Sequence, residues 1–208
     1  MSVVVDPDRS RDPRELELRR HIQMMARSVE RAEAGSSLTM VLRSAASDPA
    51  KALIGMKGAL QGAGITAMVI VAKFDPEDEL RQLFASLSEL APLVPASELI
   101  RWARNPRLLE AHEQVLYGAA MCWSGDAMRR DADRRNALTL FDEDAPDRAR
   151  LARLAFARLW AASSPVPERH LSASLAARPY GAYEQAVEAP VSVSPTAPGP
   201  QGWPLLRH

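Results

Sequence analysis

Gly62-Ala63-Gly64-Ile65-Thr66-Ala67-Met68-Val69-Ile70-Val71-Ala72-Lys73 decides the fold. Two glycines stop a helix, and an almost uninterrupted apolar run comes next. An apolar run of this length, rich in β-branched residues, is a strand covered on both faces, which happens in sheets flanked by helices. Upstream, Asp48-Pro49 opens a helix that reaches the glycines, and Ser37 to Arg43 (SLTMVLR) is a shorter strand of the same character. Downstream, Asp75-Pro76 opens another helix with Leu80, Leu83, Phe84, Leu87 and Leu90 on one side, stopped before Pro92. Strand, helix, strand, helix implies a parallel pair joined by a crossover.

Outward from this unit, Asp12-Pro13-Arg14-Glu15 starts a leading helix whose Leu18, Ile22, Met25, Ala26 and Val29 form an apolar face, ending near Gly35. After Pro95 come short candidate strands at Glu98–Ala103, Glu113–Ala119, Ala120–Ser124 and Asn136–Phe141, expected to extend the same sheet as hairpins. A closing helix over 146–162 directs Leu151, Leu154, Ala155 and Leu159 to the core, with Phe156 and Trp160 flanking. From Pro165 the chain turns to Pro, Ala, Ser and Val and holds half of its 16 prolines. Such a segment buries too little apolar surface to offset its ordering entropy, so residues 165–208 read as a disordered tail and 1–12 as a flexible N-terminus. Trp203-Pro204-Leu205-Leu206 reads either as a motif for a protein partner or as part of a passive tail. The expectation is one α/β domain over 13–164, a mixed sheet flanked by helices.

Composition narrows the function classes. Lys+Arg and Asp+Glu both number 26, so no global field draws the chain to nucleic acid, and bulk nucleic-acid binding is not indicated. No stretch approaches the ~20 apolar residues of a membrane span, and no signal peptide stands at the N-terminus, so the cytoplasm is the expected compartment. Cys122 has no partner for an intrachain disulfide and reads as a small buried hydrophobe. The four histidines stand far apart, there is no phosphate-binding glycine loop, and no metal or other cofactor is indicated.

Within this order, the lead-in from His21 to Arg43, the Gly62-Ala63-Gly64-Ile65 strand entry, His112-Glu113-Gln114, and the ending Asn136 to Trp160 with Phe156 and Trp160 resemble one half of a phospholipase D-like protein. The resemblance covers roughly residues 14–165. It implies a phosphorus-attacking histidine at His112, a phosphate-binding lysine at 114 and an aspartate at 119, with a Gly-Ser pair after them. It also implies that two such motifs meet at one site, here through a homodimer. The chain has Gln114 and Ala119 at the two middle positions, and the Gly-Ser region survives only as Ser124-Gly125-Asp126, which otherwise reads as a turn.

Loss of a fixed cation removes several kcal/mol of stabilisation from a phosphoryl group in flight. Gln114 donates a hydrogen bond but carries no charge, and Glu110, Glu113 or Asp126 would have to orient His112. His112 thus reads either as a surface histidine or, through the resemblance, as a pocket residue sharing its face with Gln114. Arg129 and Arg130 belong to a run of mixed charges that reads as a solvated loop, or as a rim supplying the missing phosphate clamp. Lys73, at the end of the apolar strand, is a weaker candidate for that charge. The expected function is a non-enzymatic or much weakened binding or scaffold module for a phosphate-bearing ligand, using Gln114, Ser124, Asp126, Arg129 and Arg130. The alternative is a divergent phosphodiesterase or nuclease working as a homodimer through His112. A third is an unrelated adaptor that recruits through its tail.

Overall fold

The computed structural model describes residues 13–33, 35–130 and 138–172. A seven-stranded mixed sheet, with helices on both faces, forms from β1 (Ser37–Leu42), β2 (Thr66–Val71), β3 (Ile100–Trp102), β4 (His112–Leu116), β5 (Cys122–Ala127), β6 (Leu140–Asp142) and β7 (Ser164–Pro165). Its order is β6-β5-β4-β1-β2-β3-β7. The described helices are α1 (Pro13–Glu30), α2 (Asp48–Gly62), α3 (Glu77–Leu90), the single turn α4 (Ala96–Leu99) and α5 (Pro146–Ala162).

The apolar run behaves as its composition dictates. β2 pairs parallel with β1, from Ser37 opposite Thr66 to Leu42 opposite Val71. Its Ala67, Val69 and Val71 join Met24, Met25, Leu53, Leu60, Leu80, Leu83 and Leu87 of α1, α2 and α3 in one core, while Ile70 and Ala72 join Val41 and Phe156 on the opposite face. Gly64 ends α2 in the left-handed conformation (φ 69°), and its N–H bonds the Gln61 carbonyl at 3.0 Å, an arrangement that costs a glycine little.

Beyond this unit the sheet departs from an all-hairpin expectation. β4, β5 and β6 do form an antiparallel meander beside β1, its first turn made at Gly118 (φ 141°). β3, however, lies on the far side and pairs parallel with β2, because α3 and α4 carry the chain back across the sheet before it re-enters. Several strands are also shorter than the apolar runs that foretold them. The asparagine and alanine at 136 and 137, the run from Asp131 to Arg135, and everything from 173 onward, including Trp203 to Leu206, lie outside the described residues.

Order continues past Pro165. Ser164 and Pro165 pair with Trp102 and Arg101 at the sheet edge, where a proline's missing N–H is tolerated. Val166 and Leu171 are buried in the main core, and His170 Nδ1 meets Glu77 Oε1 at 2.9 Å while its ring packs on Phe74. Proline content had masked two core residues.

The closing helix has the expected span but a different rotation. Ala149 and Phe156 are buried and Ala152, Leu159 and Trp160 half-buried, whereas Leu151 and Leu154 are 59% and 52% exposed and Ala155 faces solvent. Small Ala149 lets the helix N-terminal half settle against Leu116 and Cys122. At the other end the Arg101 guanidinium donates to the Trp160 carbonyl at 2.9 Å and lies over its ring, which pins the rotation. α1 is rotated similarly, burying His21, Met24, Met25 and Ser28 and leaving Ile22 exposed.

Candidate functional site

His112 opens β4 beside the carboxyl end of β1, and its ring is exposed. Opposite it the β4–β5 register shifts: His112 pairs with Ala127, but Gln114 pairs with Ser124, so Gly125 and Asp126 together oppose Glu113. Ser124-Gly125-Asp126 is therefore a β-bulge inside a strand, not a turn. One extra residue re-aims the side chains beyond it. The bulge accounts for the His112 environment, since it presents the Gly125 carbonyl to His112 Nδ1 at 2.7 Å. A carbonyl can only accept, so Nδ1 carries the proton, and the neutral ring keeps its lone pair on Nε2. Among the described residues Nε2 has no partner.

The carboxylates that could have oriented the ring are used elsewhere. Glu110 pairs with Arg129 at 3.0 Å and Asp126 with Arg130 at 3.1 Å. Glu113 accepts from the Arg43 backbone N–H at 2.8 Å and pairs with its guanidinium at 3.1 Å. Burial pushes the Glu113 carboxyl above the usual carboxylate range, and the lowering effect of Arg43 does not cancel it. Arg43 and Glu113 are nearly buried, with their side chains 13% and 10% exposed, and tie the end of β1 to the start of β4.

Gln114 does stand one residue beyond Glu113 on alternating β4, but its amide donates to the Ala152 carbonyl of α5 at 3.1 Å. It holds the helix on the sheet. Ser124, its cross-strand neighbour, is half-buried beneath the same helix. Arg129 and Arg130 come close to the His112 edge through the backbone: Met128 N–H bonds the Ala111 carbonyl at 2.9 Å and Arg129 N–H the Leu109 carbonyl at 3.0 Å. Both guanidiniums are exposed, at 61% and 54%, Arg129 held by the exposed Glu110 and Arg130 by the buried Asp126. Lys73 is exposed after β2, two strands away from β4, which is about 10 Å of sheet. Cys122 is buried, and burial raises its thiol pKa.

No protein-family model and no curated protein matches this chain.

A second polar cluster gave no motif-level signal. His21, fully buried on α1, bonds the Tyr117 hydroxyl through Nδ1 and packs edge-on to Trp123 with ring centroids 4.8 Å apart. Its Nε2 faces Glu17 Oε1 at 3.8 Å. Trp123 Nε1–H donates to Thr139 Oγ1 at 2.9 Å, and that hydroxyl donates to Glu17 Oε1 at 3.1 Å. His21 and Thr139 hold the Glu17 carboxyl below its ordinary range against the opposing effect of burial. A histidine spaced with Met24, Met25 and Ser28 along α1 was the only trace of this cluster in the sequence. Among the described residues no group of three or more His, Cys, Asp or Glu gathers to hold a metal ion, and no helix is long and apolar enough to cross a membrane.

A cleft of about 270 Å³ lies at the opposite end of β1, lined by residues including Ser28, Arg31, Ser37, Tyr117 and Gly118. Of the motif positions, Ala119 lines it, whereas His112, Gln114, Ser124, Asp126, Arg129 and Arg130 do not.

Proposed function

We propose that the chain is a degenerate phospholipase D-like module that binds a phosphate-bearing group at the His112 edge and does not turn it over. One observation carries the reading. An exposed imidazole, with its Nδ1–H already committed to Gly125, stands beside two exposed arginines, while Gln114, at the position where the resemblance calls for a lysine, spends its amide on α5. Arg129 and Glu110 are both exposed, and such a surface pair contributes little to stability, so the Arg129 guanidinium can exchange its carboxylate for a phosphate at small cost. Arg130 stays on the buried Asp126 through one nitrogen and offers its remaining N–H groups to the ligand. Turnover would need a fixed cation at the phosphorus, and these arginines are held only at the rim.

Titration of the purified protein with inorganic phosphate, monitored through the ring signals of His112 in nuclear magnetic resonance, tests the proposal. Binding should shift those signals, weaken as salt rises, and fall at least about tenfold in R129A/R130A, since hydrogen bonds to charged groups are worth about 1.5–3 kcal/mol each. Bis(4-nitrophenyl) phosphate should remain intact. Hydrolysis that disappears in H112A would replace this reading with the hydrolase. Unperturbed ring signals at saturating phosphate would leave neither.

A further inference from the structure

The rotation of α5 exposes a stripe that the sheet does not use. Asp147, Leu151, Leu154 and Arg158 are spaced by four, three and four residues, which at 3.6 residues per turn puts them on one face. All four are exposed: the Asp147 side chain is 94% accessible, and Leu151 and Leu154 are 59% and 52% exposed. Asp147 has only a long 3.7 Å contact with Arg150 on its own helix, and Arg158 has no ion-pair partner among the described residues. The face of α5 that meets the sheet is already supplied by Ala149, Phe156, Leu159 and Trp160, so Leu151 and Leu154 form a second apolar stripe that the subunit leaves in solvent.

We infer that this stripe is the contact between two copies of the chain, with the α5 helices antiparallel about a two-fold axis. The charge order is what selects a second copy as the occupant. Read from one end, the stripe runs acid, leucine, leucine, base. Reversed against itself, it sets Leu151 against the other copy's Leu154 and Asp147 against the other copy's Arg158, twice by symmetry. An isologous interface requires this self-complementarity, since each patch must recognise its own image. The flanking positions agree. In the same register Arg150 meets Ala155 of the second copy, so no like charges are opposed. A partner with an all-apolar groove would leave both charges of the stripe unpaired. The inference does not rest on the phosphate reading, for none of the four residues belongs to the His112 edge.

Sedimentation velocity over a concentration series tests it, with far-ultraviolet circular dichroism confirming the fold of each variant. The wild-type chain should sediment as a dimer in a concentration-dependent equilibrium. D147R and R158D should each oppose like charges at both ends of the contact and raise the dimer dissociation constant at least about tenfold. The double reversal D147R/R158D, carried on one chain, restores the complementarity and should restore dimerisation. L151E should yield a folded monomer, because Leu151 is already exposed within the subunit. A wild-type chain that stays monomeric at the highest concentration, single reversals that leave the dimer unchanged, or a double reversal no better than the singles would each overturn the inference.

Discussion

Replacing Gly125 with alanine puts the bulge under direct test. A Cβ on this buried residue would lie 2.6 Å from Trp123 Cη2, 2.8 Å from Trp123 Cζ2 and 3.3 Å from the Glu113 Cβ. Carbon atoms prefer about 3.5–4.0 Å, so the indole would have to retreat by roughly 1 Å. It is poorly placed to do so. Its Nε1–H is bonded to Thr139 at 2.9 Å and its ring is set against the buried His21, while the Glu113 Cβ is fixed by the pairing of β4. Overpacking of this kind costs about 1–3 kcal/mol, and the reduced freedom of the unfolded chain returns about 0.4–1 kcal/mol. The net loss should be about 1–2 kcal/mol, which for a domain of this size lowers Tm by roughly 2–8 °C. Urea unfolding monitored by circular dichroism gives the free energy, and the W123F background supplies the control. Phenylalanine removes the two clashing ring atoms, so G125A should be close to neutral there, with a coupling of about 1–2 kcal/mol. A G125A protein as stable as wild type, or one that loses the same amount in both backgrounds, would refute the packing argument.

Glu113 should give the fold a distinctive pH dependence. Its carboxyl is raised by burial, so between the ordinary carboxylate pKa and the raised value the folded state holds more proton than the unfolded state, and stability falls as pH rises through that window. In E113Q, whose amide oxygen can still accept from the Arg43 N–H, this fall should vanish; a urea midpoint with the same slope in both proteins would count against it. Glu17 works in the opposite sense, its lowered carboxyl contributing stability that is lost as pH falls through the lowered value, so E17Q should flatten the acid limb of the same curve and not the region above it. Gln114→Leu should cost about 0.5–1.5 kcal/mol through the lost bond to Ala152 and leave phosphate affinity unchanged. Weaker phosphate binding in that variant would return the amide to the ligand site.

Much of the α/β frame was legible because it depends on local chemistry. The apolar run at Ile65 to Lys73 has only one stable setting, between two covered faces, and the leucines of α3 recur at helical spacing whatever lies beneath them. The order of helices and strands up to Leu90 rests on those two facts. The candidate site was legible only as a set of residue types, since His112, Arg129 and Arg130 are visible in sequence but their partners are not. Arg43 and Glu113 are 70 residues apart, and His21 and Tyr117 are 96 apart. No local pattern links them.

The chain's own chemistry determined that a parallel β1–β2 pair would form, that α3 would bury its leucines, and that Gln114 could supply no charge. Tertiary structure decided which way α5 turns, where the bulge falls, and which carboxylate each arginine takes. A strand or helix declares itself through its backbone and periodicity, but a rotation or a register shift is chosen by the surface it packs against. Here small Ala149 over Leu116 and Cys122, and Trp123 over Gly125, made those choices.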